Sequence, residues 1–512
     1  MYKTIYNHYR TRIYTQIRPL YTHTNGPSLT RSSCAKLEPS TATENDLGSR
    51  IFRLVFRKRS ATMVIEKWVE EGNRVSGSEL RRISTQLVKF KRYKHALEIL
   101  NWMETQDRFQ MTAADHAIRL KLITEEHSID EAEKYFASIP SPSQKYAFLH
   151  LLRFYVKEKD TEKAEDLMTK MNDSGMIVSP HPLNEMMKLY VATSQFAKVV
   201  FVIQHMKRNM IPRTVLSYNL WMTACAEVSG VSSVEVVFKL MEIDKHVVVG
   251  WSTLATLANI YLKEGLIDKA TWAVKAAEKK LSAVNHLGYL FLMTIYTSLN
   301  NKDAILRLWE ACKKVDRKIT CANYMTVISS LVKLGHIYEA EEIFTEWESQ
   351  CRKYDIRVSN ILLGVYMRNG NTEKAEALHL RTSERGGQPN YKTWEILMEG
   401  WVKNQEMEKA VNAMKKGFAM LKHCEWRPSS SIVETIARHF ELTGDIGGAT
   451  RYVGVIKRFG LASLPVYKSL LRLHTCNQRP IDKIIVMMQK DNMELDEEVL
   501  TLIQSTEVQK NQ

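Results

Sequence analysis

A pair of short helices recurs along this chain with a period of about 35 residues, and this period constrains the fold more than any other feature. Residues 356–390 carry the clearest copy. Its first helix has apolar residues at helical spacing and stops at Gly370, which can adopt the left-handed conformation common at helix C-termini. Asn371 offers N-cap chemistry to the second helix, which ends before Gly386 and Pro389. Because one such pair cannot bury its apolar face, it needs neighbours of the same kind.

A small apolar residue near the start of each second helix identifies the other copies. In register with Ala375, the equivalent residues are Ala96, Ala132, Ala164, Val199, Val234, Ala270, Ile305, Ala340, Ala410 and Ala449. Six of the ten successive spacings are 35 residues, and the others lie between 32 and 39. We therefore predict an all-α protein, a single right-handed α-solenoid superhelix of about 11–12 helix-turn-helix repeats.

The same pattern divides the chain into five parts. Residues 1–37 are expected to be a targeting segment, 38–49 a linker, 50–76 N-terminal capping helices, 77–490 the repeat array, and 491–512 an acidic C-terminal helix and tail. The repeats are expected to start near residues 77, 113, 145, 180, 215, 251, 286, 321, 356, 391, 430 and 464.

Residues 1–37 have the composition of an organellar transit peptide. They contain six Lys and Arg residues, many Ser and Thr residues, and no acidic residue before Glu38. A secretory signal would need an apolar core, which this stretch lacks. Its Tyr and Arg content favours a mitochondrial over a chloroplast destination, and a disordered basic tail is the alternative interpretation.

Positive charge is concentrated near the N-terminus. The net charge is +15, yet residues 50–95 hold thirteen basic against four acidic residues, while residues 96–512 are almost neutral. Such a basic stretch can contact RNA phosphates, although a solvated helix face is an equally good interpretation. The candidate phosphate ligands are Arg57, Lys58, Arg59, Arg81 and Arg82.

Nothing in the sequence indicates catalysis, a metal site or a cofactor. The seven cysteines form no C-x-x-C pair, His95, His116, His336 and His439 fall in different repeats, and no phosphate-binding loop motif occurs. No run of about 18 apolar residues is present, so we expect no membrane-spanning helix. We predict a noncatalytic binding protein.

The best repeats resemble those of the pentatricopeptide repeat proteins of plant organelles, specifically their P class. The resemblance covers roughly residues 77–490 and is clearest in SYNLWMTACAEV at 217–228, VSNILLGVYMRNGNTEKAEALH at 358–379 and GGQPN at 386–390. A period of 35 residues separates this family from the tetratricopeptide repeats, whose period is 34. The deaminase module that some family members carry would add a zinc signature that is absent here.

In that family, each repeat can read one RNA base through two residues. One follows the aromatic residue near the start of the first helix, and the other is the last residue of the repeat. The resemblance implies that Asn360 and Asn390 form such a pair, and that Asn219 and Asn184 occupy the first position in their repeats. Elsewhere the first position departs from the family pattern and holds Arg81, Ala117, Leu149, Ala255, Leu290, Met325 and Glu395.

The sequence is compatible with two functions. The first is an organellar protein that binds single-stranded RNA, either mRNA or rRNA, and acts in mitochondrial RNA stabilisation, processing or translation. The second is a protein-interaction scaffold or a structural component associated with the mitochondrial ribosome, which the near-neutral array and the apolar residues at base-reading positions favour.

Overall fold

The computed structural model of the protein describes residues 46–54, 59–126, 128–282, 285–315, 319–420 and 426–510. Within these ranges every regular element is an α-helix, so the all-α repeat architecture is confirmed. The described helices form two compact units, one ending at Lys280 and the other beginning at Leu281. The proposed targeting segment, residues 1–37, lies outside the described residues.

The first unit opens with two helices ahead of the repeats, α1 (Leu47–Phe52) and α2 (Ala61–Glu70). Its helix pairs are α3 (Gly77–Lys89) with α4 (Tyr93–Glu104), α5 (Ala113–Glu126) with α6 (Ile129–Ser138), α7 (Ser141–Glu158) with α8 (Thr161–Asp173), α9 (Pro180–Ala192) with α10 (Phe196–Arg208), α11 (Val215–Val228) with α12 (Val231–Ile243), and α13 (Trp251–Lys263) with α14 (Ile267–Lys279).

The second unit continues the alternation and closes with α27 (Glu497–Lys510). Its helix pairs are α15 (His286–Ser298) with α16 (Lys302–Val315), α17 (Cys321–Lys333) with α18 (Ile337–Gln350), α19 (Ile356–Arg368) with α20 (Thr372–Glu384), α21 (Tyr391–Lys403) with α22 (Met407–Phe418), α23 (Ser430–Thr443) with α24 (Ile446–Arg458), and α25 (Leu464–Cys476) with α26 (Asp482–Lys490).

Two prolines place the start of one helix ahead of the position that the repeat period predicts. Helix α7 begins at Ser141, four residues before the expected start at 145. Pro140 is its N-cap and Pro142 lies in its first turn, where a missing backbone N–H costs nothing. The same prolines end α6 at Ser138 after only 10 residues.

Small buried residues let the helices pack closely. All the small apolar residues in register with Ala375 are buried, and none is more than 4% exposed. A tighter approach occurs between α19 and α21, where a Cβ added to Gly400 would lie 2.5 Å from Met367 Cβ. Close packing of this kind leaves no room for larger side chains.

The turn between the two helices of a repeat uses a left-handed residue. Gly370 has φ +78°, as expected for a glycine at a helix C-terminus. At the equivalent position of other repeats, residues with a Cβ adopt the same conformation, namely Lys91, Lys159, Ser194, Asn300 and Gln405. The turn geometry is therefore kept even where the sequence does not supply glycine.

A tyrosine, a glutamate and a lysine link neighbouring repeats in the same way at four places. In one, Tyr190 Oη donates to Glu165 Oε1 at 2.9 Å, and Lys198 Nζ lies 2.7 Å from the same oxygen. The lysine also lies over the tyrosine ring, 5.4 Å from its centroid. The other three sets are Tyr155 with Glu133 and Lys163, Tyr261 with Glu235 and Lys269, and Tyr366 with Glu341 and Lys374.

Candidate nucleic-acid interface

The structure brings Asn360 and Asn390 together at the junction between two successive repeats. Asn360 lies on α19, is 8% exposed, and directs Nδ2 towards Asn390 Oδ1 at 3.4 Å. Asn390 is the N-cap of α21, and its side chain accepts from the backbone N–H of Thr393 at 3.0 Å. The buried Thr393 hydroxyl completes the junction by donating to Asn360 Oδ1 at 3.0 Å.

Asn184 makes an equivalent junction one helix pair before Asn219. Its Nδ2 donates to Thr214 Oγ1 at 3.1 Å, and its Oδ1 accepts from Ser217 Oγ at 2.7 Å. Thr214 is the N-cap of α11, and Ser217 completes a capping box with it. A first-helix asparagine therefore recognises the capped start of the next first helix at both junctions.

Asn219 occupies the same position but lacks these partners. It is 3% exposed, and among the described residues neither its Oδ1 nor its Nδ2 has a hydrogen-bond partner. The next first helix, α13, starts from Gly250, which has no side chain to offer as a cap. Thr253, which corresponds to Thr393, is fully buried, and its hydroxyl is likewise without a partner in the described chain.

Arg81 occupies the same position in its own repeat and uses it for an ion pair. Its Nε donates to Asp115 Oδ1 at 3.0 Å and to Oδ2 at 2.9 Å, and its Nη2 donates to the backbone oxygen of Gln110 at 3.0 Å. Burial acts to raise the pKa of Asp115, but hydrogen bonds from Arg81 and Thr112 outweigh it and hold that pKa below its usual value. Arg81 therefore serves first to join two repeats.

The junction also takes other polar pairs. Ser463, the N-cap of α25, donates to Glu434 Oε1 at 3.4 Å, and Lys468 pairs with both Asp496 and Glu498 at the start of α27. Trp426 Nε1 donates to Glu395 Oε1 at 3.3 Å. The fifth residue of a first helix thus repeatedly makes a polar contact with a residue at or near the start of the next first helix.

The remaining phosphate candidates are placed differently. Arg59 and Arg82 have exposed side chains, although the backbone oxygen of Arg59 lies 3.1 Å from His95 Nε2. Arg57 and Lys58 lie outside the described residues. Among the candidates that the structure describes, Arg59 and Arg82 are thus the exposed residues, and Arg81 is committed to its ion pair.

The sequence carries a signal for the residues that contact Asn360, Asn184 and Arg81. Thr393, Ser217 and Asp115 each lie three residues after a polar N-cap, which is the spacing of a capping box. That spacing brings the third residue of the next helix, and not only the last residue of the repeat, into contact with the first-helix position.

Two further structural findings concern ligands and membranes. Across the described ranges, no group of three or more His, Cys, Asp or Glu residues is placed to hold a metal ion. None of the helices in the part of the chain that the structure describes combines the length and apolar character needed to cross a membrane.

Comparison with known proteins identifies the family. The model of the PPR repeat matches residues 146–176, 323–351 and 358–386. The pentatricopeptide repeat-containing protein At5g27460 of Arabidopsis thaliana is 51% identical over 89% of this chain and 93% of its own length. The Arabidopsis protein At4g02820, named as mitochondrial, is 34% identical over 96% of this chain and 92% of its own length. The chain therefore belongs to the pentatricopeptide repeat family.

Among solved structures, the chain is similar to the maize pentatricopeptide repeat protein PPR10. The two share 15% sequence identity with a TM-score of 0.44, over 90% of this chain. The chain spans 65% of the length of that maize protein. A second crystal structure of PPR10 holds an 18-nt psaJ RNA element, and its TM-score with this chain is 0.36.

Proposed function

We propose that this protein is a noncatalytic RNA-binding protein of plant organelles that binds single-stranded mRNA or rRNA. Family membership supports the class of ligand, and several relatives with mitochondrial names support mitochondria over chloroplasts. The observation that carries the proposal is the recurring junction built on Asn184 and Asn360, because side-chain amides can hydrogen-bond the edges of unstacked bases. In this proposal the protein stabilises a mitochondrial transcript or helps to process or translate it.

The side-chain amides at the junction already form hydrogen bonds within the protein, and this affects how they can bind an RNA base. Asn360 and Asn390 already hydrogen-bond each other and Thr393, so a base must meet a pair whose geometry is fixed before binding. Such preorganisation lowers the entropic cost of binding. It also means that a base adds hydrogen bonds to the free lone pairs and N–H groups of the junction and does not replace its internal contacts.

The test is RNA binding by the purified full-length protein as a function of salt. We expect single-stranded RNA of mixed sequence to bind, and duplex RNA to compete poorly. The affinity should fall with added salt, since each phosphate contact to a single strand contributes about 0.7 to the slope of log K against log salt. Binding that does not depend on salt, or that is equal for duplex RNA, would argue against the proposal.

Charge reversal tests the N-terminal basic surface. Arg59→Glu with Arg82→Glu removes two exposed cations, whereas Arg81→Glu would place a carboxylate beside Asp115 and disturb the fold. The matched control is Arg352→Glu with Lys353→Glu, which reverses two exposed charges far along the sequence. We expect the first pair to weaken RNA binding more than the control; equal effects would remove the N-terminal surface from the proposal.

A scaffold on the mitochondrial ribosome is the second candidate function. It is favoured by the near-neutral charge of residues 96–512 and by apolar first-helix residues such as Leu290 and Met325 at base-reading positions. It predicts that the protein co-sediments with ribosomal subunits from plant mitochondria after RNase treatment and moderate salt. Sedimentation only as a free protein would contradict it.

A further inference from the structure

Three consecutive second helices present large apolar side chains to solvent at one equivalent position. Two residues after the small buried residue, the repeats of α10, α12 and α14 carry Phe201, Val236 and Trp272, which are 65%, 57% and 56% exposed. Eight of the other repeats hold charged, polar or small residues there, namely Glu98, Lys134, Asp166, Arg307, Glu342, Ala377, Asn412 and Arg451. In the last helix pair, Val486 lies two residues after the buried Ile484 and is 48% exposed. Among the described helices, only α10, α12 and α14 carry an exposed large apolar residue at this position in consecutive repeats.

Helix α12 is apolar on both its inner and its outer side. Its inner residues Val234, Val237 and Met241 are buried, as the repeat fold requires. Its outer side carries Val236, Leu240 and Ile243, exposed by 57%, 43% and 75% at the i, i+4, i+7 spacing of one helix face. The helix therefore has a second apolar stripe besides the one that the repeat fold buries.

Contacts link these three second helices, through α11 and through an ion pair. Helices α10 and α12 both pack against α11, and Glu235 on α12 pairs with Lys269 on α14 at 2.7 Å. Between α12 and α14 lies a groove of about 380 Å³ lined by Glu235, Tyr261, Asp268, Lys269 and Trp272. We name the surface formed by Phe201, Val236, Leu240, Ile243 and Trp272 the outer apolar patch.

Exposed basic side chains outnumber exposed acidic ones around the patch, although Glu235 and Asp268 line the groove beside Trp272. Within the described residues 202–210, 237–248 and 273–280, the exposed basic side chains are Lys207, Arg208, Lys239, Lys245, Lys275, Lys279 and Lys280. Glu242 is the one exposed acidic side chain in those ranges. A second copy of this chain would bring two basic rims together, whereas an acidic partner would be attracted.

We propose that the outer apolar patch docks an amphipathic helix of a partner protein whose apolar stripe is flanked by Asp and Glu. The aliphatic members Val236, Leu240 and Ile243 favour protein over RNA, because only flat side chains stack on bases. The two aromatic residues alone expose on the order of 200–300 Å², since ring side chains carry ~150–250 Å² each. With the three aliphatic residues, the patch can supply the apolar centre of one side of a standard interface of about 800 Å².

Site-specific photo-crosslinking in plant mitochondria tests the proposal with the full-length protein. A photoreactive amino acid replaces Leu240 in the patch, and the matched control replaces Leu380, which is 62% exposed on second helix α20. We expect position 240 to crosslink a segment with apolar residues at i, i+3 or i+4, and i+7 that is flanked by acidic residues. Position 380 should not yield that segment.

Two variant sets establish which features hold the partner. Phe201→Ser with Trp272→Ser should lower the crosslink yield and weaken binding of the identified segment roughly tenfold or more, because truncated central aromatic residues are common hot spots. Lys207→Glu with Arg208→Glu should also weaken it, and raised salt should do the same. RNA binding by these variants should be unchanged, which separates this proposal from the RNA-binding one.

Every other result overturns the proposal. Crosslinks from position 240 to lipid, to RNA, or to a second copy of the chain would each assign the patch to a different occupant. A yield no higher than that from position 380 would show that the patch is simply exposed. A crosslinked protein segment without the acidic flanks, or one indifferent to both variant sets, would contradict the predicted chemistry.

Discussion

Replacing Thr393 by valine tests whether the polar junction between repeats stabilises the array. Val has nearly the shape of Thr, so the change removes the hydroxyl and leaves the packing of this fully buried side chain in place. Two groups lose a partner: Asn360 Oδ1, which accepts from the hydroxyl at 3.0 Å, and the backbone N–H of Asn390, which donates to it at 3.1 Å. The contact of the hydroxyl with Asn390 Oδ1 at 3.2 Å is also lost, but that oxygen still accepts from Asn360 Nδ2 and from the backbone N–H of Thr393.

The expected cost follows from those two hydrogen bonds. A hydrogen bond contributes about 1 kcal/mol net, and a buried group left without a partner costs about 1–3 kcal/mol. Thr393→Val should therefore lower local stability by roughly 2 kcal/mol, which corresponds to a loss of on the order of 10–100-fold in hydrogen-exchange protection across α21.

Thr253 provides a control at the same position of another repeat. It is also the third residue of a first helix and is also fully buried, but its hydroxyl has no partner among the described residues. Thr253→Val should therefore leave the protection of α13 unchanged or raise it by up to about 1 kcal/mol. Equal losses from Thr393→Val and Thr253→Val, or no loss from either, would refute the role assigned to the junction.

Three other perturbations have expected outcomes in urea unfolding. Gly400→Ala should destabilise by about 1–3 kcal/mol, because its Cβ would lie 2.5 Å from Met367 Cβ; an unchanged midpoint would contradict the close approach of α19 and α21. Gln405→Gly should stabilise by roughly 1 kcal/mol, since Gln405 has φ +64° and glycine adopts that conformation without steric cost; a lower midpoint would contradict this. Hydrogen bonds from Lys163 and Lys269 lower the pKa of Glu133 and of Glu235, so their stabilisation is complete above the usual value of 4.5 and is lost as the pH falls through the lowered pKa. Replacing both glutamates by glutamine should flatten the fall in stability below that pH, and an unaltered pH profile would contradict it.

The 35-residue period was sufficient to predict most of the fold. Because each repeat packs mainly on its neighbours, the spacing of small residues such as Ala270 and Ala340 is enough to place helices in order. The start of α7 was missed, because a period cannot register how Pro140 and Pro142 move a boundary by four residues.

The state of the candidate site depends on contacts that the base-reading positions alone do not encode. Asn184 and Asn219 are both asparagines at the same position of their repeats. Both Oδ1 and Nδ2 of Asn184 have hydrogen-bond partners, whereas neither atom of Asn219 has one among the described residues. The difference lies in the next helix, where Thr214 supplies a cap and Gly250 cannot. Reading the caps together with the first-helix position would have separated the two cases from the sequence.

The outer apolar patch shows another limit of sequence reasoning. Periodicity places Val234 and Val237 in the core, but Val236 and Leu240 in the same helix look equally suited to burial. Only the exposure of their side chains in the folded repeat shows that α12 has a second apolar side. The sequence shows which residues are apolar, and the structure shows which of these apolar side chains stay exposed to solvent.

Mapping where single-stranded RNA contacts the protein tests whether the first helices bind RNA. The purified full-length chain would be crosslinked to RNA by ultraviolet light, and the modified peptides would be sequenced by mass spectrometry. We predict crosslinks in first-helix peptides, including those with Asn184, Asn219 and Asn360. Crosslinks confined to second-helix peptides, or no crosslink above that of a duplex RNA control, would contradict it.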